Sequence, residues 1–270
     1  MAALDRLLAA LSRHESVIVA LSGGVDSATV AAAAFRALGS RALAVTSGSA
    51  SVSAEELAHA SRVAAEIGIA HRVVQTREID DPGYVANGAD RCYHCKTALY
   101  GDLAKIARAE GYAAICNGTN CDDLGDHRPG LRAADEHLVA SPLVEAGLGK
   151  PEVREIARAL GLSIWDKPAN ACLASRLPHG TFVTLGRLDQ VGRAEEAVSA
   201  LGFRGHRVRH HGEVGRLEVP ADQLARALEM RADLSAALKD AGYRYAVLDL
   251  DGYRQGSLNP VSEAKWTRSG

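Results

Sequence analysis

The stretch Ser22-Gly23-Gly24-Val25-Asp26-Ser27 decides the predicted fold. It follows a short apolar run, residues 17–21, and precedes an alanine-rich stretch, residues 28–38, which ends at Gly39. The run has the length and composition of a buried strand, and the stretch has those of a helix. Two adjacent glycines let the backbone approach an anion closely, and the helix N-terminus presents free N–H groups. The hexapeptide therefore predicts a phosphate-binding loop.

This loop is not a Walker A loop, because no Gly-Lys-Ser/Thr follows it at the required spacing. It is similar to the SGGxDS loop of the PP-loop ATP pyrophosphatases, which split ATP into AMP and pyrophosphate. The alternative is a tight strand-to-helix turn without a ligand, and the complete hexapeptide in this context disfavours it. We expect residues 22–27 to bind ATP and pyrophosphate, together with Thr46 and Gly118 at the ends of two further predicted strands.

The composition indicates a folded protein of one or two domains. Its 270 residues are 47% apolar, and 31 basic residues against 33 acidic ones give a net charge of −2. This near-neutral charge does not indicate a nucleic-acid partner, and no apolar run approaches the ~20 residues that span a bilayer. No signal peptide is recognised, so the odd number of cysteines, five, indicates reduced thiols and a cytoplasmic location.

The order of the predicted elements indicates an α/β fold. The predicted strands of the first part are 17–21, 41–46, 71–75 and 113–117, and the predicted helices are 4–13, 28–38, 54–68, 96–109 and 151–160. This order predicts a parallel-sheet PP-loop domain (adenine nucleotide alpha hydrolase-like) over residues 1–180. In such a sheet the ligands bind at the carboxyl ends of the strands.

A smaller α+β C-terminal domain is predicted over residues 181–270, with the boundary near 178–183. Its predicted helices are 185–201 and 221–241, and its predicted strands are 206–211, 216–220 and 243–250. Gly212 and Gly215 are expected to flank the turn between the first two of these strands. The polar tail, residues 257–270, is expected to be poorly ordered.

Cys92-Tyr93-His94-Cys95 is a CxxC motif in residues 76–95, a stretch that we predict to be irregular. Alone, the motif is typical of a thiol redox pair, half of a zinc site or part of an iron–sulfur site. The motif does not follow the first strand, which disfavours the redox pair, and the sequence has no second close pair for zinc. His94 is interpreted as a solvated neighbour rather than a ligand.

Cys172 is the remaining candidate ligand. Three thiolates from two loops, with Cys92 and Cys95, can hold a [4Fe–4S] cluster and leave one iron without a protein ligand, where sulfide could bind. The alternative is three unrelated cysteines. Cys116 is interpreted as a small buried core residue in the fourth strand, and Cys121 is assigned no role.

Three aspartates, Asp26, Asp122 and Asp123, are expected at the carboxyl edge of the sheet. Their carboxylates could hold Mg²⁺ against a triphosphate. Capping of the segments that follow is the competing explanation for Asp122 and Asp123.

Arg207 and Arg209 alternate on a predicted strand, so they share one face of it. With His211 they form a row that suits a phosphate group. A solvated strand face is the alternative, and the residues alone favour that alternative.

Four segments together resemble the LarE family of ATP-dependent sulfur transferases, which make the nickel-pincer nucleotide cofactor of lactate racemase. They are Ser22–Ser27, Asn117–Asp123, Trp165–Pro168 and Ala171–Arg176. The resemblance covers nearly the whole chain. The last segment is the most specific, because the whole PP-loop superfamily shares SGGxDS.

The resemblance implies that ATP activates a carboxylate of pyridinium-3,5-biscarboxylic acid mononucleotide as an acyl-adenylate, with release of pyrophosphate. Sulfur then displaces AMP to form a thiocarboxylate, and the second carboxylate reacts likewise. In one branch of the family, the cysteine at the position of Cys172 gives up its own sulfur and becomes dehydroalanine. In the other branch, cysteines matching Cys92, Cys95 and Cys172 bind a [4Fe–4S] cluster that delivers sulfide. This sequence has all three cysteines and resembles the second branch.

The resemblance also implies roles for neighbouring residues. Ser175 and Arg176 would line the site beside Cys172, and Lys96 would stabilise negative charge near the activated substrate. Asp26 would hold Mg²⁺, so the implied cofactors are ATP, Mg²⁺ and the [4Fe–4S] cluster.

The implied roles in the C-terminal domain concern the substrate and assembly. Arg207 and Arg209 would hold the phosphate of the small nucleotide substrate. Glu195 and Glu218 would lie at a metal or subunit-interface site, and the implied assembly is a homo-hexamer. No nucleic-acid or membrane partner is expected.

Three other function classes remain open at this point. A PP-loop tRNA thiolase also uses cysteines, but the near-neutral charge and the Ala171–Arg176 segment disfavour it. An amidating PP-loop enzyme would use ammonia, and a nucleotide-sensing module would bind ATP without releasing pyrophosphate. Both leave Cys172 and its two companions unexplained.

Overall fold

The computed structural model describes residues 2–125, 129–167 and 171–254. These residues divide into two compact units. The first contains residues 2–85 and 89–171, and the second contains residues 86–88 and 172–254. The units therefore divide between residues 171 and 172, whereas the sequence predicted a boundary near 178–183.

The first unit is built on a parallel four-stranded sheet of order β3-β2-β1-β4. Its strands are β1 (Val17–Ala20), β2 (Ala42–Ser47), β3 (Ala70–Val74) and β4 (Ala114–Cys116). The predicted α/β class with a parallel sheet is confirmed. Because all four strands are parallel, their carboxyl ends meet at one edge, where β1 leads into the hexapeptide.

Helices cover both faces of this sheet. They are α1 (Ala3–Leu11), α2 (Val25–Leu38), α3 (Ala54–Ile67), α4 (Pro82–Val85), α5 (Arg91–Glu110), α6 (Pro129–Glu136), α7 (Pro142–Glu145) and α8 (Lys150–Ala159). Val17 and Val19 of β1 pack into one apolar cluster with α1, α2 and α8, and Ile18 packs into another with α5 and α6. This alternation follows from the two-residue period of a strand. Helix α2 is rich in alanine because most of it is buried.

The second unit combines a three-stranded sheet with helices, as the predicted α+β class requires. Its elements are α9 (Leu185–Ala200), β5 (Arg207–His211), β6 (Val214–Glu218), α10 (Leu224–Glu229), α11 (Arg231–Asp240) and β7 (Tyr245–Leu248). β5 and β6 are antiparallel, and β7 is parallel to β6. Gly212 and Glu213 form the turn of the hairpin, and Gly212 adopts the left-handed conformation with φ +65°.

Two predicted element boundaries in the second unit are wrong. Gly215 lies in β6 opposite His210 rather than beside the turn, and a Cβ atom there would lie 2.8 Å from Cδ2 of Tyr243. The single helix predicted over residues 221–241 is two helices, α10 and α11, which meet at Met230. The polar tail predicted over residues 257–270 lies outside the described residues.

The irregular structure predicted for residues 76–95 is wrong in two places, because this stretch contains α4 and the start of α5, where the CxxC motif is helical. Helix α5 begins at Arg91, because the Asp90 carbonyl already accepts hydrogen bonds from the N–H groups of Tyr93 and His94. The motif therefore occupies the first turns of a 20-residue helix.

Candidate functional site

The hexapeptide forms a closed loop between β1 and α2. Ser27 Oγ accepts a hydrogen bond from Ser22 N at 3.1 Å and donates one to the Gly24 carbonyl at 3.1 Å. The two serine hydroxyls also lie 3.1 Å apart. Gly23 has φ +76°, and a Cβ atom there would lie 3.1 Å from Cδ2 of His59. The loop therefore requires this glycine, and its serines lie where an anion-binding loop would place them.

The segment after β4 packs tightly against this loop. A Cβ atom on Gly118 would lie 2.6 Å from the backbone nitrogen of Ser27 and 2.8 Å from its Cα atom. Asn117 fixes the same segment, because its Oδ1 accepts hydrogen bonds from Thr119 N at 2.9 Å and Ser141 Oγ at 3.0 Å. Only glycine allows this close backbone approach.

Replacing Gly118 by alanine is expected to displace the start of α2. Overpacking of this kind costs about 1–3 kcal/mol, so we expect the free energy of unfolding to fall by that amount and the Kd for ATP to rise. Denaturant unfolding and ATP titration calorimetry measure the two effects. Gly125→Ala is the matched control, since no described heavy atom lies within 4 Å of its Cβ position. A wild-type Kd for ATP in Gly118→Ala would show that the close approach of Gly118 to the Ser27 backbone does not affect ATP binding.

Asp26 is the first acidic side chain at this edge. Its carboxylate accepts hydrogen bonds from Lys150 Nζ at 2.5 Å and from Asn120 Nδ2 at 3.4 Å. A half-exposed carboxylate in the predicted phosphate-binding loop has the hard oxygen donors that Mg²⁺ prefers, so Asp26 fits the predicted role, and magnesium binding stays a prediction. Lys150 lies 124 residues from Asp26 in the chain, and no local sequence pattern links the two residues.

Asp122 and Asp123 have local hydrogen-bonding roles. Asp122 Oδ2 accepts a hydrogen bond from the backbone nitrogen of Lys150 at 2.7 Å, which caps the start of α8. Asp123 Oδ2 accepts one from Asn120 N at 3.1 Å and closes its own turn. These contacts agree with the alternative interpretation, in which Asp122 and Asp123 cap the segments that follow them. Magnesium binding by the two residues stays a prediction.

Thr46 is the next-to-last residue of β2, at the same edge of the sheet. Its hydroxyl donates to the Leu21 carbonyl at 2.7 Å and lies 2.8 Å from Nε2 of His71. Burial lowers the pKa of His71. The contacts of Thr46 support the end of β1, and its predicted contact with ATP stays a prediction.

Cys92 and Cys95 are not in disulfides and lie three positions apart on α5, which places them on one side of the helix. Cys92 is exposed and Cys95 is half-buried. His94 is not a solvated neighbour, because its Nδ1 lies 2.8 Å from Asp81 Oδ2 and its Nε2 lies 3.4 Å from Asp90 Oδ2. These contacts hold the first turn of α5 in place.

Lys96 follows the motif directly. Its Nζ lies 5.9 Å from the centre of the Tyr100 ring, one helical turn further on. This position is within the range of a cation–π contact. The predicted role of Lys96 near the activated substrate stays a prediction.

Cys172 begins a tight turn in the second unit. Its carbonyl oxygen accepts hydrogen bonds from Ser175 Oγ at 2.7 Å, Ser175 N at 2.9 Å and Arg176 Nη1 at 3.1 Å. Arg176 is only 2% exposed, and its Nε and Nη2 donate to the two carboxylate oxygens of Glu195 at 2.9 and 3.0 Å. A buried ion pair therefore fixes the backbone of Cys172 while its thiol stays half-exposed.

The surroundings of Glu195 favour its ionised form. Burial would raise its pKa, but the Arg176 guanidinium and the backbone N–H of Val208 hold the pKa below its usual range. The stability that this group contributes is present above its unfolded pKa and is lost as the pH falls through the lower folded value.

A second buried network joins β5 and β6. Glu218 is fully buried, and its carboxylate accepts hydrogen bonds from Arg209 Nε at 2.9 Å and Arg216 Nη2 at 3.0 Å. Arg209 Nη1 also donates to the Ser175 carbonyl at 3.2 Å. The alternative of a solvated strand face is therefore wrong for Arg209.

Arg207, on the same strand, donates to the His206 carbonyl at 2.6 Å and lies 5.2 Å from the centre of the Tyr253 ring. Phosphate binding by Arg207 and Arg209 stays a prediction, as does metal or interface binding by Glu195 and Glu218. Within each unit, the described residues contain no group of three histidine, cysteine or acidic side chains around one metal position.

Cys116 is fully buried in β4, and burial raises the pKa of its thiol to about 12. It is therefore an inert core residue, as the sequence indicates. Cys121 is half-buried after β4 and donates through its backbone N–H to the Leu148 carbonyl.

Comparisons with known proteins place the chain in a family. The asparagine synthase family model matches residues 3–102, which contain both the hexapeptide and the CxxC motif. An uncharacterised protein of Synechocystis is 43% identical over 96% of this chain and 97% of its own length. The pyridinium-3,5-bisthiocarboxylic acid mononucleotide synthase of Lactiplantibacillus plantarum is 36% identical over 94% of this chain and 92% of its own length. This chain belongs to that synthase family, the LarE family.

More distant relatives of this LarE-family chain act on tRNA by name. The tRNA-specific 2-thiouridylase MnmA of Caulobacter vibrioides is 27% identical over 79% of this chain and 66% of its own length. In the described part of the chain, every helix is too short or too polar to cross a membrane.

Proposed function

We propose that this chain is the ATP-dependent sulfur transferase that converts the carboxylates of pyridinium-3,5-biscarboxylic acid mononucleotide into thiocarboxylates. The observation that carries the proposal is 36% identity along almost the whole chain to a protein named as the bisthiocarboxylic acid mononucleotide synthase. The closed loop of residues 22–27 supports it, because the reaction must bind and release pyrophosphate.

The chemistry divides into two displacements. A carboxylate oxygen of the substrate attacks the α-phosphorus of ATP, and pyrophosphate leaves with the bridging oxygen. Sulfur then attacks the acyl carbon and AMP leaves, so one oxygen of the carboxylate is exchanged for sulfur. Ser22 and Ser27 would hold the departing pyrophosphate, and Asp26 would hold Mg²⁺ against it.

We assign the sulfur supply to a [4Fe–4S] cluster bound by Cys92, Cys95 and Cys172. Cysteine thiolates are the ligands that this group takes, and the pair on α5 has the spacing of two ligands on one helix face. When bound, the cluster would supply an iron without a protein ligand as a place for sulfide. The competing route uses the sulfur of Cys172 itself, once per chain.

The proposal includes the substrate and the assembly. Arg207 and Arg209 would hold the phosphate of the mononucleotide, and Ser175 and Arg176 would lie beside the reacting thiol or cluster. The chain would act as a homo-hexamer on a small molecule, without a nucleic-acid or membrane partner.

The test incubates the anaerobically purified protein with ATP, Mg²⁺, a sulfide source and the biscarboxylic mononucleotide. We expect AMP and pyrophosphate to form, and the substrate to gain mass by one oxygen-to-sulfur exchange at each carboxylate. Asp26→Asn is the control that should slow AMP formation. AMP formation that requires tRNA instead of the mononucleotide would identify a 2-thiouridylase and overturn the proposal.

A further inference from the structure

Among the described residues, Lys150 is the one cationic side chain that forms an ion pair with the hexapeptide. Its Nζ lies 2.5 Å from Oδ2 of Asp26, and Asn120 Nδ2 contacts the other carboxylate oxygen at 3.4 Å. Asp26 is in the first turn of α2, next to the serines that close the loop. The ammonium group therefore lies at the rim of the phosphate-binding loop.

The backbone of Lys150 is fixed, and its side chain is partly exposed. Its backbone N–H donates to Asp122 at 2.7 Å, and a Cβ atom on the preceding Gly149 would lie only 3.2 Å from that carboxylate. The side chain keeps 32% of its exposure, and the side chain of Asp26 keeps 25%. Half-exposed pairs of this kind stabilise the fold weakly, so a purely structural role explains little.

An unpaired Asp26 carboxylate would disfavour the binding of an anionic ligand at this edge. A carboxylate in the loop would repel the phosphates of ATP, and Lys150 neutralises it. Mg²⁺ would replace Lys150 on the same carboxylate, because a hard divalent cation competes for carboxylate oxygens. The displaced ammonium group would then be a flexible cation within reach of the triphosphate.

We propose that Lys150 binds the pyrophosphate part of ATP and that Asp26 holds it in place until the nucleotide arrives. This proposal rests on the proposed function for the identity of the ligand. Lys150 is then a substrate-binding residue, and Asp26 is its partner only in the absence of ATP. When ATP binds, Lys150 exchanges its ion pair with Asp26 for a contact with phosphate.

The first test measures ligand binding to Lys150→Met by calorimetry, with ATP, pyrophosphate and AMP as probes. A charge-assisted hydrogen bond to phosphate predicts a Kd for ATP and for pyrophosphate that is about 10- to 100-fold higher. The Kd for AMP should change by no more than about twofold, since AMP lacks the β- and γ-phosphates. The matched control is Lys105→Met, because exposed Lys105 pairs with Asp102 at 2.7 Å on α5.

The second test distinguishes phosphate binding by Lys150 from a role in which Lys150 only positions Asp26. Lys150→Met is combined with Asp26→Asn, and the Kd for pyrophosphate is measured without metal. If Lys150 binds phosphate, its replacement still raises the Kd about 10-fold or more in the Asp26→Asn background. If Lys150 only positions Asp26, the effect disappears in that background, and the proposal is overturned.

A third readout separates this inference from the proposed function. Equal Kd values for pyrophosphate in the wild type and Lys150→Met, with equal thermal unfolding midpoints, would overturn the role of Lys150 even if thiocarboxylates form. Loss of pyrophosphate binding in Lys150→Met with no thiocarboxylate from the wild type would support Lys150 and reject the transferase.

Discussion

Replacing Cys172 by alanine is expected to abolish thiocarboxylate formation, whichever sulfur route operates. Under the proposed function, the thiol is either a ligand of the sulfide-bearing cluster or the sulfur donor itself. ATP binding should persist, because the phosphate-binding loop belongs to the other compact unit. Mass spectrometry of the product and ATP titration calorimetry measure the two properties. The control is Cys121→Ala, another half-buried free thiol, which should keep wild-type product formation.

Cys92→Ala decides between the two routes. In the cluster route it abolishes product formation as Cys172→Ala does, and anaerobic reconstitution gives about four irons per chain in the wild type but not in either variant. In the sacrificial route, Cys92→Ala stays active, and Cys172 of the wild type loses the mass of its sulfur after one turnover. Full product formation by Cys172→Ala would contradict both routes.

The closed strand-to-helix loop of residues 22–27 and the parallel sheet could be predicted because their signals are local. A short apolar run, two adjacent glycines and an alanine-rich helix lie within about two dozen residues, and each has a direct conformational meaning. The loop closes through Ser22 and Ser27, which are both in the quoted stretch. The same holds for Cys116, whose burial follows from the apolar strand around it.

The helical CxxC motif could not be predicted in this way. The first residues of α5, Arg91-Cys92-Tyr93-His94-Cys95, are mostly weak helix formers. The helix nevertheless begins there, because His94 pairs with Asp81, which lies 13 residues earlier and belongs to another segment. A tertiary contact of this kind leaves no periodic signal.

The long-range ion pairs depend on pairings that the sequence does not display. Lys150 and Asp26 are 124 residues apart, and Arg176 and Glu195 come from a turn and a helix. The ion pairs of Glu218 could have been inferred from the register of the hairpin. Glu218 lies opposite Arg207 in that register, so it shares one face of the sheet with Arg209 and Arg216. The predicted strand 216–220 started two residues late, so this register was not available.

Replacing Glu218 by glutamine is expected to destabilise the second unit severely. Glu218 is 0% exposed and balances Arg209 and Arg216, so the substitution leaves two guanidinium groups without their carboxylate. Loss of one partner of a buried pair costs about 3–5 kcal/mol. The matched control is Glu213→Gln in the turn of the same hairpin. Glu213 pairs with Arg244, and both side chains are 66% exposed, so we expect a loss below about 1 kcal/mol.

The measurement must follow the second unit by itself, because a chain of two units need not unfold in one step. Hydrogen exchange of the β5 and β6 amides during denaturant unfolding meets this requirement. Arg209 also donates to the Ser175 carbonyl, so its release should loosen the turn that begins at Cys172. We therefore expect Glu218→Gln to speed alkylation of the Cys172 thiol under native conditions, whereas Glu213→Gln leaves the rate unchanged. Equal amide protection and equal alkylation rates in the two variants would show that the buried network neither stabilises the hairpin nor positions Cys172.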